Sequence, residues 1–228
     1  MTAIALLHPD VSPNVVDRFK GSGVEIRIQD NLEASSLSAA LIFGGDGTIH
    51  RHLPQLHQQK IPTLIVPAGS GNDFAKAMGI RSVEIALRAW QRFCVDGKNI
   101  REIDLGIIRP CGVAESKAGD SEILFCCVAG VGMDAEANAR ANRMPQWLKS
   151  HGGYVLAALQ SLVAFKPVEM SVKTAQREIR RPAFFVAVGN AHRYGGGMKV
   201  TPLALPDDGL LDICVVSKLN KLKLLCWV

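Results

Sequence analysis

The sequence predicts an α/β protein in two parts, a parallel sheet covered by helices up to about residue 100 and a strand-rich part after it. In the first part, short apolar runs alternate with helical patterns, which is typical of a parallel sheet with both faces buried. From residue 102 onward, strand candidates predominate. A chain of 228 residues is long enough for two modest domains. We therefore place one domain at 1–100 and the other at 101–228.

The first domain is expected to alternate strands with helices. Four strands are predicted from short apolar runs, at 3–7, 24–28, 40–43 and 63–66. Ser12 and Pro13 predict the start of a helix that ends near Gly21, because proline fits the first helical position. Residues 32–40 are a candidate short helix. A further helix follows Ser82, and its apolar residues have the spacing of one buried stripe: Val83, Ala86, Leu87, Trp90 and Phe93.

The second domain is predicted to consist mainly of strands. Strand candidates lie at 103–108, 123–129, 168–174, 183–188 and 210–216. One helical stretch, at 133–163, lies among them. No repeat or low-complexity tract interrupts either domain.

The composition is that of an ordinary globular protein, which we expect in the cytoplasm. A formal net charge of +5 is a mild excess that fits solubility, and we expect no nucleic-acid partner. The six cysteines form no CxxC pair, so we expect them reduced and buried. The amino terminus lacks the basic region of a signal peptide. No run approaches the ~20 apolar residues that span a bilayer, so any membrane contact is expected to be peripheral, at the inner face.

A glycine-rich motif, Gly44-Gly45-Asp46-Gly47-Thr48, directly follows the third predicted strand. Glycines let a backbone approach a ligand closely and leave amide groups free for phosphate oxygens. Thr48 is expected to cap the following helix or to donate its hydroxyl. The alternative is a tight turn that glycine and aspartate favour for conformational reasons alone.

The helix after this motif contains a proline and several histidines. Because a proline inside a helix costs about 3 kcal/mol, we expect the regular helix to begin near Pro54 and residues 49–53 to be irregular. His50 and His52 cannot face the same way on a helix. Together with His57, they are interpreted as exposed or packed side chains and not as metal ligands.

A second loop with the same character follows the fourth predicted strand. Residues 67–73 read Pro-Ala-Gly-Ser-Gly-Asn-Asp and lead into a helix that ends at Gly79. Ligands of open α/β sheets bind beyond the carboxyl ends of the strands, so the two loops are expected to form one site. Ser70 and Asn72 can bond a nucleotide, and Asp73 can orient a neighbour. Asn72 is also a candidate helix cap.

These motifs, with others, form a recognisable series. The chain reads GGDGT, PAGSGNDFA, IDLG, CCVAGVGMDA and GNAHRYGGGMKVTPLALPDDGLLDICVV in order. This series resembles the diacylglycerol kinase catalytic-domain family, which includes bacterial lipid kinases, sphingosine kinases and ceramide kinases, and it covers nearly the whole chain. The resemblance implies a Rossmann-like first domain and a mostly antiparallel, β-rich second domain that is incomplete in this chain.

The resemblance also implies two binding sites. The ATP site would comprise Gly44, Gly45, Asp46, Gly47, Thr48, Ile49, His50, Ser70, Gly71 and Asn72. A Mg²⁺ site would comprise the carbonyl groups of Leu205 and Leu210 and the side chain of Asp208. Mg²⁺ prefers oxygen ligands and accepts backbone carbonyls. The alternative at 207–209 is a hairpin turn without a metal, and a second, ATP-borne Mg²⁺ is expected near Asp46.

The activity implied is transfer of the γ-phosphate of ATP to a lipid hydroxyl, such as that of diacylglycerol, at a membrane surface. No residue matches the family's general base, which is expected beyond residue 228 of a C-terminally truncated chain, so Asp46 is the remaining catalytic candidate. His8, His50 and Arg51 depart from the family pattern. The alternatives are an inactive truncated homologue that binds nucleotide or lipid, and an NAD-kinase-like enzyme, against which PLALPDDGLLD argues. The sequence leaves a homodimer open.

Overall fold

The structure is a computed structural model that describes residues 1–21, 24–32, 37–109, 122–133 and 166–217. Two compact units share the chain, and each is formed by separate segments. The first comprises Met1–Val128 and Asn190–Leu211, and the second comprises Ala129–Gly189 and Asp212–Val228. The predicted domain boundary after residue 100 stays a prediction.

The first unit is built on a parallel sheet of four strands, in the order β2-β1-β3-β4. The strands are β1 (Thr2–Leu7), β2 (Glu25–Gln29), β3 (Ala39–Gly44) and β4 (Thr63–Pro67). All three pairings are parallel. The four predicted strands are therefore confirmed. After β1, the chain adds β2 on one side of it and then β3 on the other side. The strand order therefore reverses between β1 and β3, and α/β sheets bind ligands at such a reversal.

The central strands bury both of their faces. In β1, Ile4 and Leu6 belong to one apolar cluster, whereas Ala3 and Ala5 belong to another. The same alternation continues in β3, with Ala40 and Ile42 on one side and Leu41 and Phe43 on the other. Side chains of a strand alternate between its faces, so continuous burial requires a cover on each side. This layered packing fixes the carboxyl ends of β1, β3 and β4.

Within the described ranges, four helices accompany the sheet: α1 (Asn14–Asp17), α2 (Asp46–Gln59), α3 (Asp73–Ala77) and α4 (Val83–Asp96). In α4, the Ser82 hydroxyl accepts a hydrogen bond from the Ile85 N–H at 3.3 Å, which confirms the predicted cap. The prediction for the first helix is wrong in length, since α1 has four residues and Pro13 is its N-cap. Val16 is the buried residue of this helix.

The prediction of an irregular segment before Pro54 is wrong. The helix α2 begins at Asp46 and continues through Pro54. Ile49, Leu53 and Leu56 share one face of this helix, and each is at most 8% exposed in the core. Burial of a large apolar side chain contributes about 1.5–3 kcal/mol, so three of them outweigh the cost of the proline.

The remaining strands are antiparallel where paired with their chain neighbours. They are β5 (Gly106–Ile108), β6 (Ile123–Phe125), β7 (Val128–Gly132), β8 (Val168–Lys173), β9 (Glu178–Ala183), β10 (Phe185–Gly189) and β11 (Asp212–Val216). β5 pairs with β6, β8 with β9, and β10 lies between β11 and β7. The predicted fold class, a parallel-sheet domain followed by mostly antiparallel strands, is confirmed.

Two details of this part differ from prediction. The single strand predicted at 123–129 is two strands, because the chain bends at Cys126 and Cys127. β9 escaped prediction because EIRRPA is charged and contains a proline. The predicted helical stretch at 133–163 lies outside the described residues beyond Met133, as do residues 33–36 of the candidate helix at 32–40. In the described part of the chain, Cys94 is exposed, contrary to expectation.

None of the helices in the described ranges has the length and apolar character needed to cross a bilayer.

Candidate functional site

Two glycine-bearing loops meet at the carboxyl edge of the sheet. One joins β3 to α2 at Gly45, and the other joins β4 to α3 through residues 68–72. A Cβ atom placed on Gly69 would lie 2.6 Å from the Cα of Gly45, and one placed on Gly45 would lie 3.0 Å from the Cα of Gly69. The loops therefore touch backbone to backbone, and a side chain at either position would separate them. Sequence reasoning predicted that these loops form one site.

Asp46 links the two loops through its carboxylate. One oxygen, Oδ2, accepts a hydrogen bond from the Asp73 N–H, and Oδ1 accepts one from the Phe74 N–H, both at 3.0 Å. The side chain thus caps the first turn of α3 from a position 27 residues away in sequence. This contact shows that Asp46 holds the second loop in place, which no local sequence signal indicates.

Asn72 fixes the second loop from within. Its backbone is left-handed, with φ of 54°, and its side-chain Oδ1 accepts a hydrogen bond from the Gly69 N–H at 2.8 Å. Although Asn72 occupies the N-cap position of α3, its side chain makes no capping bond there. Ser70 is exposed, and a Cβ on Gly71 would lie 3.2 Å from Oδ2 of Asp46. The loop therefore presents Ser70 and its backbone to the surroundings.

Asp73 is a buried carboxylate beside Asp46. It is 3% exposed, and its Oδ2 accepts a hydrogen bond from the Gly196 N–H at 2.7 Å. Its other oxygen, Oδ1, has no hydrogen-bond partner among the described residues. Burial is the main cause that raises the pKa of Asp73, and the charge of Asp46 raises it further against the opposing Gly196 bond. Asp73 thereby ties the glycine segment 195–197 to the second loop.

The thiol of Cys127 lies within the electrostatic reach of both carboxylates. Its pKa is raised, first by a hydrogen bond with Cys126, then by burial, with Asp46 and Asp73 contributing. A thiol in such surroundings stays protonated at neutral pH. Sequence reasoning missed Cys127, because nothing in the CCVAG segment indicates a neighbour some eighty positions earlier.

The first turn of α2 places the remaining residues of the first motif. Gly45 is the N-cap, so the expectation that Thr48 caps the helix is wrong. Thr48 is buried, and its hydroxyl has no hydrogen-bond partner among the described residues. A Cβ placed on Gly44 would clash with the Thr48 side chain. Ile49 is 2% exposed in the core and His50 is exposed. Gly47, by contrast, has open space around its Cα.

A polar cavity of about 400 Å³ adjoins the carboxyl ends of β1 and β2. Arg51, His52 and Gln55 of α2 line it together with Gln29, whose side-chain oxygen is buried and without a partner in the part of the chain described. Burial and the charge of Arg51 lower the pKa of His52, which is therefore neutral at neutral pH. A larger cavity, of about 750 Å³, borders the amino-terminal ends of β3 and β4, but it has mainly apolar walls and none of the loop glycines.

The segment 205–210 carries the residues expected to bind Mg²⁺. It forms a turn in which Gly209 has φ of 74° and the Leu210 N–H donates to Oδ1 of Asp208 at 3.0 Å. Leu205, Asp208 and Leu210 are all exposed. Two backbone carbonyls and one carboxylate form the all-oxygen donor set that suits Mg²⁺ with several retained waters. The donor types are therefore those that Mg²⁺ accepts, although the described ranges hold no cluster of three acidic, His or Cys side chains that would bind a metal by itself.

Glycine loops at the carboxyl edge of a parallel sheet buried on both faces, with Asp46 and the buried Asp73 beside them, are typical of α/β proteins that bind ligands at this edge. Residues 4–108 match the diacylglycerol kinase catalytic domain. Residues 127–228 match the YegS C-terminal NAD kinase beta sandwich-like domain. Together the two matches cover most of the chain, and the resemblance that its motifs predicted is confirmed.

Individual relatives agree with this assignment. The chain is 34% identical over 193 residues to a diacylglycerol kinase of Mycobacterium tuberculosis, covering 84% of this chain and 59% of that protein. It is 28% identical to a probable lipid kinase YegS-like protein of Shewanella frigidimarina, covering 82% and 57%. The chain thus spans less than two thirds of these relatives. A crystal structure of a diacylglycerol kinase from Bacillus anthracis shares the fold, with a TM-score of 0.66 and 19% identity over 98% of this chain and 76% of that one.

Proposed function

We propose that the chain forms the nucleotide-binding part, and much of the substrate-binding part, of an ATP-dependent lipid kinase. One observation carries the proposal: two glycine loops touch at the carboxyl edge of the sheet, and Asp46 bridges them. The match of residues 4–108 to the diacylglycerol kinase catalytic domain supports a kinase that uses ATP. The names of the relatives support a lipid as the acceptor.

The backbone of the first loop is the proposed binding site for the phosphates. The first N–H groups of a helix have no partner within the helix, so those of Asp46 and Gly47 are available at the start of α2. A helix N-terminus also favours anions through its dipole. The absence of a Cβ at Gly45 and at Gly69 lets the two loops meet beside these amides. Ser70, exposed on the second loop, adds a hydroxyl to the same site.

The rest of the nucleotide is proposed to occupy the 400 Å³ cavity beside the loops, a volume within the usual range for small-molecule sites of about 300–1,000 Å³. The His8 N–H donates to the Phe43 carbonyl at 2.8 Å, which places the start of this cavity next to Gly44. Arg51 and Gln55 offer donors there. This arrangement gives a role to Arg51, which departs from the family pattern.

Divalent cations are proposed at two places. When bound, Mg²⁺ neutralises phosphate charge that develops during phosphoryl transfer. Asp46 is proposed to orient the ATP-borne ion, since each of its oxygens keeps a lone pair beyond its bond to α3. Asp208 and the carbonyl groups of Leu205 and Leu210 are proposed to hold the other. The acceptor is proposed to be a lipid hydroxyl at a membrane surface, with diacylglycerol first and sphingoid bases next.

Phosphate transfer from labelled ATP tests the proposal. The purified chain is incubated with labelled ATP, Mg²⁺ and mixed lipids in detergent micelles, and label is counted in the organic phase. The Asp46→Ala variant removes the bridge between the loops, and Asp96→Ala, at the end of α4, is the matched control. We expect label with the parent chain and with Asp96→Ala, and none with Asp46→Ala.

Two other outcomes are distinguishable. ATP binding without label in the lipid would assign nucleotide binding without transfer to this chain. Neither binding nor label, in a chain whose thermal melt shows a folded protein, would contradict the proposal.

A further inference from the structure

The 205–210 segment is held by an ion pair with a residue that lies far from it in the sequence. Arg101 holds Asp207 through both of its carboxylate oxygens, with Nε to Oδ2 at 2.7 Å and Nη2 to Oδ1 at 2.6 Å. The two residues are 106 positions apart in sequence but belong to the same unit. A bidentate guanidinium–carboxylate pair fixes the orientation of the carboxylate as well as its distance from the guanidinium. Both oxygens of the carboxylate next to Asp208 are therefore hydrogen-bonded to a cation of the protein.

Asp104 ties the same segment on both sides of this pair. Its N–H donates to the Pro206 carbonyl at 2.7 Å, and its Oδ2 accepts from the Gly209 N–H at 2.7 Å. Asp104 is itself held, because its carbonyl accepts from Nδ2 of Asn190 at 2.8 Å and Asn190 is fully buried. The turn is thus tied to the interior of the first unit through one residue.

We propose that Arg101 and Asp104 are positioning residues that hold segment 205–210 ready for its cation, and that Arg101 makes it prefer Mg²⁺ to Ca²⁺ by keeping Asp207 out of the coordination shell. The inference rests on the cation site proposed above. Mg²⁺ demands nearly ideal octahedral geometry and keeps several waters, whereas Ca²⁺ accepts six to eight oxygens in flexible arrangements. A rigid turn with one available carboxylate suits Mg²⁺. A loosened turn with two adjacent carboxylates suits Ca²⁺.

Titration calorimetry of the chain with MgCl₂ and with CaCl₂, without nucleotide or lipid, tests the inference. Arg101→Met removes the guanidinium and keeps the aliphatic stem. Removal of groups that orient metal ligands typically lowers affinity about 10- to 100-fold, and we expect that loss for Mg²⁺ with a smaller loss for Ca²⁺. Arg18→Met, which removes an exposed ion pair with Glu84, is the matched control and keeps the parent's affinities.

Two further variants separate orientation from charge. In the double variant Arg101→Met/Asp207→Asn, the released side chain is a weaker ligand, so the Ca²⁺ to Mg²⁺ affinity ratio is expected to return towards the parent's. Arg101→Lys keeps the charge but loses the bidentate geometry, so its affinity for Mg²⁺ is expected to lie between those of the parent chain and Arg101→Met. If Arg101→Lys kept the parent's affinities in full, the proposed role of the bidentate pair would be overturned.

The remaining results overturn the inference in different ways. An unchanged affinity ratio in Arg101→Met would overturn it while leaving the cation site in place. A parent chain that binds neither ion would overturn both the inference and the site, whereas the kinase activity is decided separately by the phosphate-transfer experiment. Thermal melts without added cation confirm that each variant is folded.

Discussion

The two acidic regions of the first unit are held in place by different forces. At the glycine loops, Asp73 is 3% exposed and the backbones of Gly45 and Gly69 are in contact. At segment 205–210, the side chains of Arg101 and Asp207 are 49% and 38% exposed. Steric fit and buried hydrogen bonds position the first region, whereas an exposed ion pair together with hydrogen bonds to Asp104 positions the second. Substitutions of similar size should therefore have larger effects on stability at the first region.

The largest effect is expected at the contact between the loops. In Gly69→Ala the new methyl group meets the backbone of Gly45, which cannot rotate away. Overpacking of this kind costs about 1–3 kcal/mol, which lowers the melting temperature of a chain of this size by about 2–12 °C. Nucleotide binding is expected to be lost as the loops separate. Calorimetry measures the change in melting temperature, and an ATP-binding assay measures the loss of nucleotide binding.

Gly47→Ala is the matched control within the same motif. Its Cβ meets no atom within 4 Å, and alanine in a helix is favoured over glycine by about 0.5–1 kcal/mol. The melting temperature should therefore stay level or rise. A fall similar to that of Gly69→Ala would contradict the steric account of the loops.

The next effect concerns the bridge between the loops. In Asp46→Asn only one side-chain oxygen remains to accept, so the N–H of Asp73 or of Phe74 loses its partner. An unsatisfied buried donor costs about 1–3 kcal/mol. Denaturant unfolding should show this loss, and Asp207→Asn, at the exposed region, should show a smaller one. Equal losses would remove the contrast between the two regions.

A smaller effect is expected in the pH dependence of stability. The pKa of Asp73 is raised in the folded chain, so the native state binds more protons than the unfolded state between the two pKa values. Stability therefore decreases as the pH rises from the ordinary aspartate range through the raised value. Asp73→Asn lacks this ionisation, so its melting temperature relative to the parent should increase across that interval. A constant difference between pH 3.5 and 7 would contradict the account.

The smallest effect is expected from salt. Exposed charges are screened at high ionic strength, whereas steric contacts are not. The difference in melting temperature between the parent chain and Arg101→Met should therefore shrink between 0.05 and 1 M NaCl. The difference for Gly69→Ala should persist. If salt reduced both differences in melting temperature to the same extent, the two regions would be held by the same kind of interaction.

The contrast also separates what the sequence predicted from what it did not. The four strands of the parallel sheet and both glycine loops were predictable, because apolar runs and glycines are local signals. The contacts that organise the site join residues far apart: Asp46 to Asp73 over 27 positions, Arg101 to Asp207 over 106 and Asp73 to Gly196 over 123. Such contacts follow from the completed fold and have no local pattern.

Local rules also failed where tertiary packing opposed them. Pro54 predicted an irregular segment, but burial of the apolar face of α2 maintains the helix around it. In β9, Pro182 and charged residues concealed a strand that pairs with β8 over six residues. Both errors have the same physical cause, since neighbouring elements supply stability that local propensity does not include.

The central claim is that the two glycine loops together hold the phosphates of ATP. Hydrogen–deuterium exchange of the parent chain, with and without ATP and Mg²⁺, tests it most directly. Slower exchange of the amides at 44–48 and 69–74 on addition of ATP, and no such change with Gly69→Ala, is the predicted result. Unchanged exchange in both loops at ATP concentrations that saturate binding would place the nucleotide elsewhere and contradict the claim.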